Sequence, residues 1–101
     1  MDAYELLAAC TAFEWDTGNL LKNWEKHRVS GEECEQVFFN KPLIAAPDPA
    51  HPRKESRYYV LGQTDSGRRL FVVFAIRGHN IRVISARDMS QKERIIYEAH
   101  E

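Results

Sequence analysis

The chain has 101 residues, of which 44% are hydrophobic and 29% charged, and its net charge is −1. That length suits one small domain with a modest core, and the composition excludes an intrinsically disordered chain. The near-neutral balance excludes a global pull toward polyanions, so any nucleic-acid site must be a local basic patch offset by acid elsewhere.

Residues 1–12 carry Tyr4, Leu7, Ala8 and Cys10 at helical spacing, enough for one or two turns that need packing to persist. They read as an N-terminal extension, with a single domain over 13–101. Phe13 to Asp16 alternates apolar and acidic, as a strand with one buried face does. Asp16 then caps a helix over 17–28, with Leu20, Leu21, Trp24 and His27 on one side and Lys22, Glu25 and Lys26 on the other. Ser30 with Glu33 forms a capping box for a second helix, flanked by Val29 and Cys34 as a staple. This helix turns Cys34, Val37 and Phe38 inward and ends before Pro42.

Leu43 to Ala46 is a short strand, and the proline-rich stretch from Pro47 to Glu55 is a loop. Ser56 to Thr64 is a strand with Tyr58 and Val60 on one face and Tyr59 and Leu61 on the other. Asp65-Ser66-Gly67 is a turn. Arg69 to Ile76 is apolar enough for a central strand covered on both faces, and Gly78-His79 suits a tight hairpin into Ile81–Arg87. Ser90 and Glu93 form a second capping box, opening a helix to His100 whose apolar side is Ile95, Ile96 and Tyr97. The order is β-α-α-β-β-β-β-α, an α+β fold in which helices pack on an antiparallel meander.

No phosphate-cradling glycine loop or nucleophile elbow is present, and the histidines do not fall at metal-ligand spacing. No metal or other cofactor is expected. Cys10 and Cys34, with no CxxC, read as small apolar residues in a reducing compartment. No apolar run approaches the roughly 20 residues that span a bilayer, and the N-terminus lacks a basic leader, so a cytoplasmic protein with no membrane partner is expected.

What remains is a set of basic residues on the sheet and its turns: Arg57, Arg68, Arg69, Arg77, Arg82 and Arg87, with Tyr58, Tyr59 and Tyr97. Guanidinium groups bind phosphate and aromatic rings stack bases, so these are the elements of an RNA-contacting surface. Each also has a bland role. His27 suits a half-buried structural histidine as well as a catalytic one. Arg82 alternates with Ile84 and Ala86 on an apolar face, so it is either paired structurally or aimed into a cleft. Arg68 and Arg69 suit a solvated turn, Tyr97 suits the core, and His51 and His79 suit exposed loops. Composition and spacing alone reach a small α+β domain with local basic patches.

Several stretches go further: Phe13-Glu14-Trp15-Asp16, the run from Gly18 through Lys26-His27 to Val29-Ser30, Phe38-Phe39, Arg57-Tyr58, Leu61-Gly62 with Thr64-Asp65 and Gly67-Arg68, and Ile81 to Arg94 with its Ile-Ser-Ala-Arg core. In this order they resemble the BrnT family, over Phe13 to about His100. The resemblance implies the toxin half of a type II toxin–antitoxin pair, with a RelE-like fold and an RNA-cleaving activity that stops translation. It also implies a BrnA-like antitoxin as partner, through which operator DNA is touched only indirectly. On this basis a metal-independent endoribonuclease is expected, with Arg82 and Arg87 stabilising the phosphorane, Arg57 and Arg68 holding neighbouring phosphates, and His27 or Tyr97 moving protons. Two positions depart from the family pattern: Arg28 stands where Gly is common, and Ile95 where a further basic residue is frequent. The thinner basic patch and the net charge of −1 favour an alternative, a catalytically weak or inactive homologue acting as an antitoxin-binding co-repressor module.

Overall fold

The most apolar run of the chain sits in the middle of the sheet. In the computed structural model, which describes residues 2–49 and 55–101, nine elements follow one another. They are α1 (Ala3–Ala8), β1 (Ala12–Glu14), α2 (Thr17–His27), α3 (Gly31–Val37), β2 (Ile44–Pro47), β3 (Arg57–Gln63), β4 (Arg69–Arg77), β5 (Asn80–Asp88) and α4 (Gln91–Glu98). One five-stranded sheet has the order β1-β5-β4-β3-β2. β4 is central, and β2 to β5 form the expected antiparallel meander. The sheet is nonetheless mixed, because β1 pairs with β5 in parallel, Phe13 beside Ile81. The helical pair α2–α3 and strands β2 to β4 separate these two strands in sequence, so no hairpin constrains their direction. His51 and most of the expected loop over 47–55 lie outside the described residues.

One sheet face carries the main core. Val60, Leu70, Val72, Phe74, Ile81, Val83 and Ala86 meet Cys34 and Val37 of α3, with Val29 and the α1 residue Ala3 joining them. Phe38 stacks edge-on against both Phe13 and Phe74, at 5.6 and 5.3 Å between centroids. α3 lies so close to β3 that a Cβ on Gly62 would sit 2.5 Å from Val37 Cγ1. Both predicted capping boxes form, Ser30 with Glu33 and Ser90 with Glu93. α1 is tied down by the Tyr4 hydroxyl, which accepts from the Ala45 amide at 2.9 Å.

Two helix faces differ from the sequence expectation. On α2, Leu21 and Trp24 are exposed, His27 is exposed, and the buried side chain is Asn23. The reason is that α2 runs beside β5 beyond the point where β1 stops. There Asn23 Oδ1 accepts from the Ala86 amide at 3.2 Å, and Asn19 Nδ2 donates to the Val83 carbonyl at 3.5 Å, so asparagines take the place of a missing strand. On α4, Tyr97 alone is fully buried, while Ile95 and Ile96 face outward. Tyr97 joins Leu61 and Met89 in a smaller core, flanked by Ile44 and Phe71, on the other sheet face.

Candidate functional site

α4 covers only one end of that second face. Beyond α4 the face is lined by side chains, with Val73 and Ala75 buried among them, and strand register decides what it carries. On β3, Arg57 and Tyr59 share it; on β4, Arg69, Phe71, Val73, Ala75 and Arg77 do. On β5 a bulge opposite Val73/Phe74 inserts Ile84, pairing Ser85 with Val73 but Val83 with Phe74. The insertion shifts the alternation, so Arg82 and Arg87, five residues apart in the sequence, both project from the open face. Without it they would point to opposite sides. Arg82 therefore does not share a face with Ala86, which is in the main core.

Five arginines populate this face, and their partners set them apart. Arg77 Nε donates to Glu55 at 3.0 Å, and its Nη1 lies 3.8 Å from Glu14. Arg69 pairs with Glu101 and lies over the Tyr97 ring. Arg87 holds Glu93 with two bonds, at 2.8 and 3.0 Å, and lies 4.2 Å above the Phe71 ring. The Arg87 hydrogen bond keeps the Glu93 carboxyl below its ordinary range. Arg82 makes a single long contact, 3.4 Å to Asp16, and its side chain is 22% exposed. Arg57 has no ion-pair partner among the described residues, and its Nε is enclosed with no hydrogen bond. The least committed guanidiniums are thus Arg57 and Arg82.

These two flank one residue. Arg82 pairs with Ala75, and Ala75 pairs with Arg57, so the arginines sit on strands two apart, roughly 10 Å between backbones at ~4.8 Å per strand. Ala75, a short side chain, lies between them and is fully buried. Extending one strand further, Glu14 pairs with Arg82. A row of carboxylate, guanidinium, alanine and guanidinium crosses the sheet. Tyr59, two residues from Arg57 on the same face, packs edge-on against Phe71 at 5.4 Å. A phosphate held by both cations would lie over the buried Ala75, with an aromatic ring alongside for a base.

The other expected site residues are elsewhere. Arg68 is a strut, not an open phosphate ligand. It donates to Asp88 at 2.7 and 3.1 Å, to Glu33 at 3.1 Å, and to the His27 and Arg28 carbonyls at 3.0 and 2.8 Å. It thereby ties the end of α2 to α3 and β5, and its hydrogen bond holds the Asp88 carboxyl below the usual range. Burial works to raise the Glu33 carboxyl, but the Ser30 amide and Arg68 outweigh it, so Glu33 is also lowered. His27 belongs to this corner, at the Asp88 end of β5, whereas Arg82 is near the other end. Tyr97 is fully buried and its hydroxyl donates to the Pro42 carbonyl at 2.6 Å; burial raises its pKa. Of the six residues, Arg57, Arg82 and Arg87 share the open face, and His27, Arg68 and Tyr97 do not join them there. Burial also pushes the Cys34 thiol up to about 12, consistent with an inert core residue.

Glu14 and the row it forms with Arg82, Ala75 and Arg57 escaped the sequence reading. The signal was present in part: Arg57, Tyr59, Arg69, Phe71, Ala75 and Arg77 all have odd numbers within two paired strands. The bulge that adds Arg82 has no comparable mark. Among the described residues, no cluster of three His, Cys, Asp or Glu side chains is placed to hold a metal ion, and no helix is long and apolar enough to cross a membrane.

No curated protein matches the chain. A crystal structure of the Brucella abortus ribonuclease toxin, BrnT, matches with a TM-score of 0.57 at 21% identity, covering 80% of this chain and 99% of that one. That likeness establishes the fold. The family model described as the ribonuclease toxin BrnT of type II toxin–antitoxin systems matches residues 15–93, which hold α2, α3 and all of the meander. The chain belongs to the BrnT family of ribonuclease toxins, whose type II systems pair the toxin with a protein antitoxin.

Proposed function

We propose that this protein is a metal-independent endoribonuclease that cuts RNA at the open sheet face, stops translation in the cytoplasm, and is neutralised by a BrnA-like antitoxin. The observation that carries the reading is the Arg57–Ala75–Arg82 row, where the two least committed guanidiniums of the face flank a small residue. A phosphodiester across that row accepts hydrogen bonds from both sides, and the cations stabilise the extra charge of the phosphorane more than that of the ground state. Arg87, held by Glu93 over Phe71, lies further along β5 and meets a neighbouring phosphate. Tyr59 stacks a base.

The test is induction of the chain alone in a bacterial host, following growth and total RNA. Growth arrests and RNA breaks down with the natural sequence. With Arg82→Ala, cleavage falls by about 10²–10³-fold, the usual loss for one transition-state donor, while the antitoxin still binds. Intact RNA in the presence of folded, soluble chain sinks the nuclease. A second reading, an antitoxin-binding co-repressor with little activity, draws on the pairing of Arg69, Arg77, Arg82 and Arg87 with Glu101, Glu55, Asp16 and Glu93, which weakens the local positive field. It predicts no arrest for either sequence and undiminished antitoxin binding by both.

A further inference from the structure

With His27 and Tyr97 placed elsewhere, the open face still needs a group to accept the proton of the attacking hydroxyl. We propose that Glu14 is that general base, an inference that rests on the nuclease reading and names a group within the same site. Among the described residues, five carboxylates form ion pairs with the arginines of this face. Asp16 accepts from the Asn19 amide as the cap of α2 and also meets Arg82. Glu93 accepts from the Ser90 amide and from both terminal nitrogens of Arg87. Glu55 accepts from Arg77 Nε, and Glu101 accepts from Arg69. Each of these is occupied by a structural bond.

Glu14 is different. Its carboxylate makes no hydrogen bond among the described residues. Oε2 is enclosed without a partner, and the nearest cation, Arg77 Nη1, is 3.8 Å away, beyond hydrogen-bond reach. An enclosed polar atom left unpaired calls for a reason. The side chain as a whole is 39% exposed, although Oε2 is enclosed, and this leaves Oε1 as the oxygen to meet a ligand. Register places Glu14 directly beside Arg82, at the end of the row that continues through Ala75 to Arg57. A ribose whose phosphate sits between Arg82 and Arg57 can then turn its 2′-hydroxyl toward β1.

The step balances without a metal. Glu14 Oε1 takes the proton of the ribose 2′-hydroxyl as O2′ attacks the adjacent phosphorus. The O2′–P bond forms, the P–O5′ bond breaks, and its electron pair leaves with O5′, which takes a proton from solvent water. The products are a 2′,3′-cyclic phosphate and a 5′-hydroxyl end. Arg77, on the enclosed side of the carboxylate, is a positioning residue.

The experiment measures single-turnover cleavage of end-labelled RNA by purified chain, with and without ribosomes, from pH 4 to pH 9. Glu14→Gln lowers the rate by about 10²–10⁴-fold and removes the acid limb that the wild-type profile shows as a carboxylate protonates. Glu14→Asp retains that limb at an intermediate rate, which keeps the test decisive if the glutamine variant fails to fold. A substrate with sulfur in place of the scissile 5′-oxygen, whose leaving group needs no proton, does not rescue Glu14→Gln. Wild-type cleavage that is lost in Arg82→Ala but kept within about threefold, with its acid limb, in Glu14→Gln overturns the base while leaving the nuclease standing. Rescue by the 5′-thio substrate makes Glu14 the acid and also overturns it. No cleavage by the wild-type chain under either condition overturns the nuclease reading and the base together.

Discussion

Six arginines of identical intrinsic chemistry take different roles here because their neighbours differ. Arg68 spends its donors on two carboxylates and two helix-end carbonyls, while Arg57 spends none on an ion pair among the described residues. A charged donor that is already bonded must break that bond to hold phosphate, so availability, not the count of arginines, locates the proposed site. Arg28 shows the same dependence in the backbone. It caps α2 with φ 54°, in the left-handed region, where a side chain costs about 1 kcal/mol relative to glycine. Its carbonyl still accepts from Arg68, and that bond needs no side chain. Arg28→Gly is therefore expected to raise stability by about 1 kcal/mol, offset only by loss of the guanidinium contact with Trp24 at 5.3 Å. A urea titration checks it; a lower midpoint would show that the Trp24 contact outweighs the strain.

Between elements, the decisive feature is the edge of β5. β1 pairs only with Asn80 to Arg82, and the rest of that edge is met by asparagines of α2. Asn23→Ala leaves the buried Ala86 amide unpaired and should cost about 1–3 kcal/mol in a denaturant titration, whereas Leu21→Ser, on the exposed face, should cost less than about 0.5 kcal/mol. The opposite ranking would restore the apolar face that helical spacing suggested. This is where the sequence misled. Leu21 and Trp24 have helical periodicity, but periodicity cannot say that the partner of a helix is a bare strand edge, which asks for polar side chains. Capping boxes at Ser30 and Ser90, the central strand and the hairpins were legible because each is a local signal. The parallel β1–β5 pairing and the bulge at Ile84 were not, since both depend on contacts distant in the chain. The consequence for the site was specific: Arg57, Arg82 and Arg87 were named from the sequence, but the row that joins Arg57 to Arg82, and Glu14 to both, exists only once the register is known.

At the scale of the molecule, the sheet divides the chain into two sides. One is closed by α3 and α1 around the main core; the other is capped by α4 at one end and carries the arginine row beyond it. A net charge of −1 gives no long-range attraction for RNA, so the RNA binding proposed for this face must come from contacts made within a Debye length of it, about 10 Å at 0.1 M salt. The most direct measurement is a two-dimensional NMR titration of the amide-labelled chain with a short RNA 2′-O-methylated throughout, which binds but lacks the attacking hydroxyl. The largest shifts are predicted at Glu14, Arg57, Tyr59, Ala75, Arg82 and Arg87, fading as salt rises. Shifts confined to α2 and α3, with the open face silent, would contradict the account.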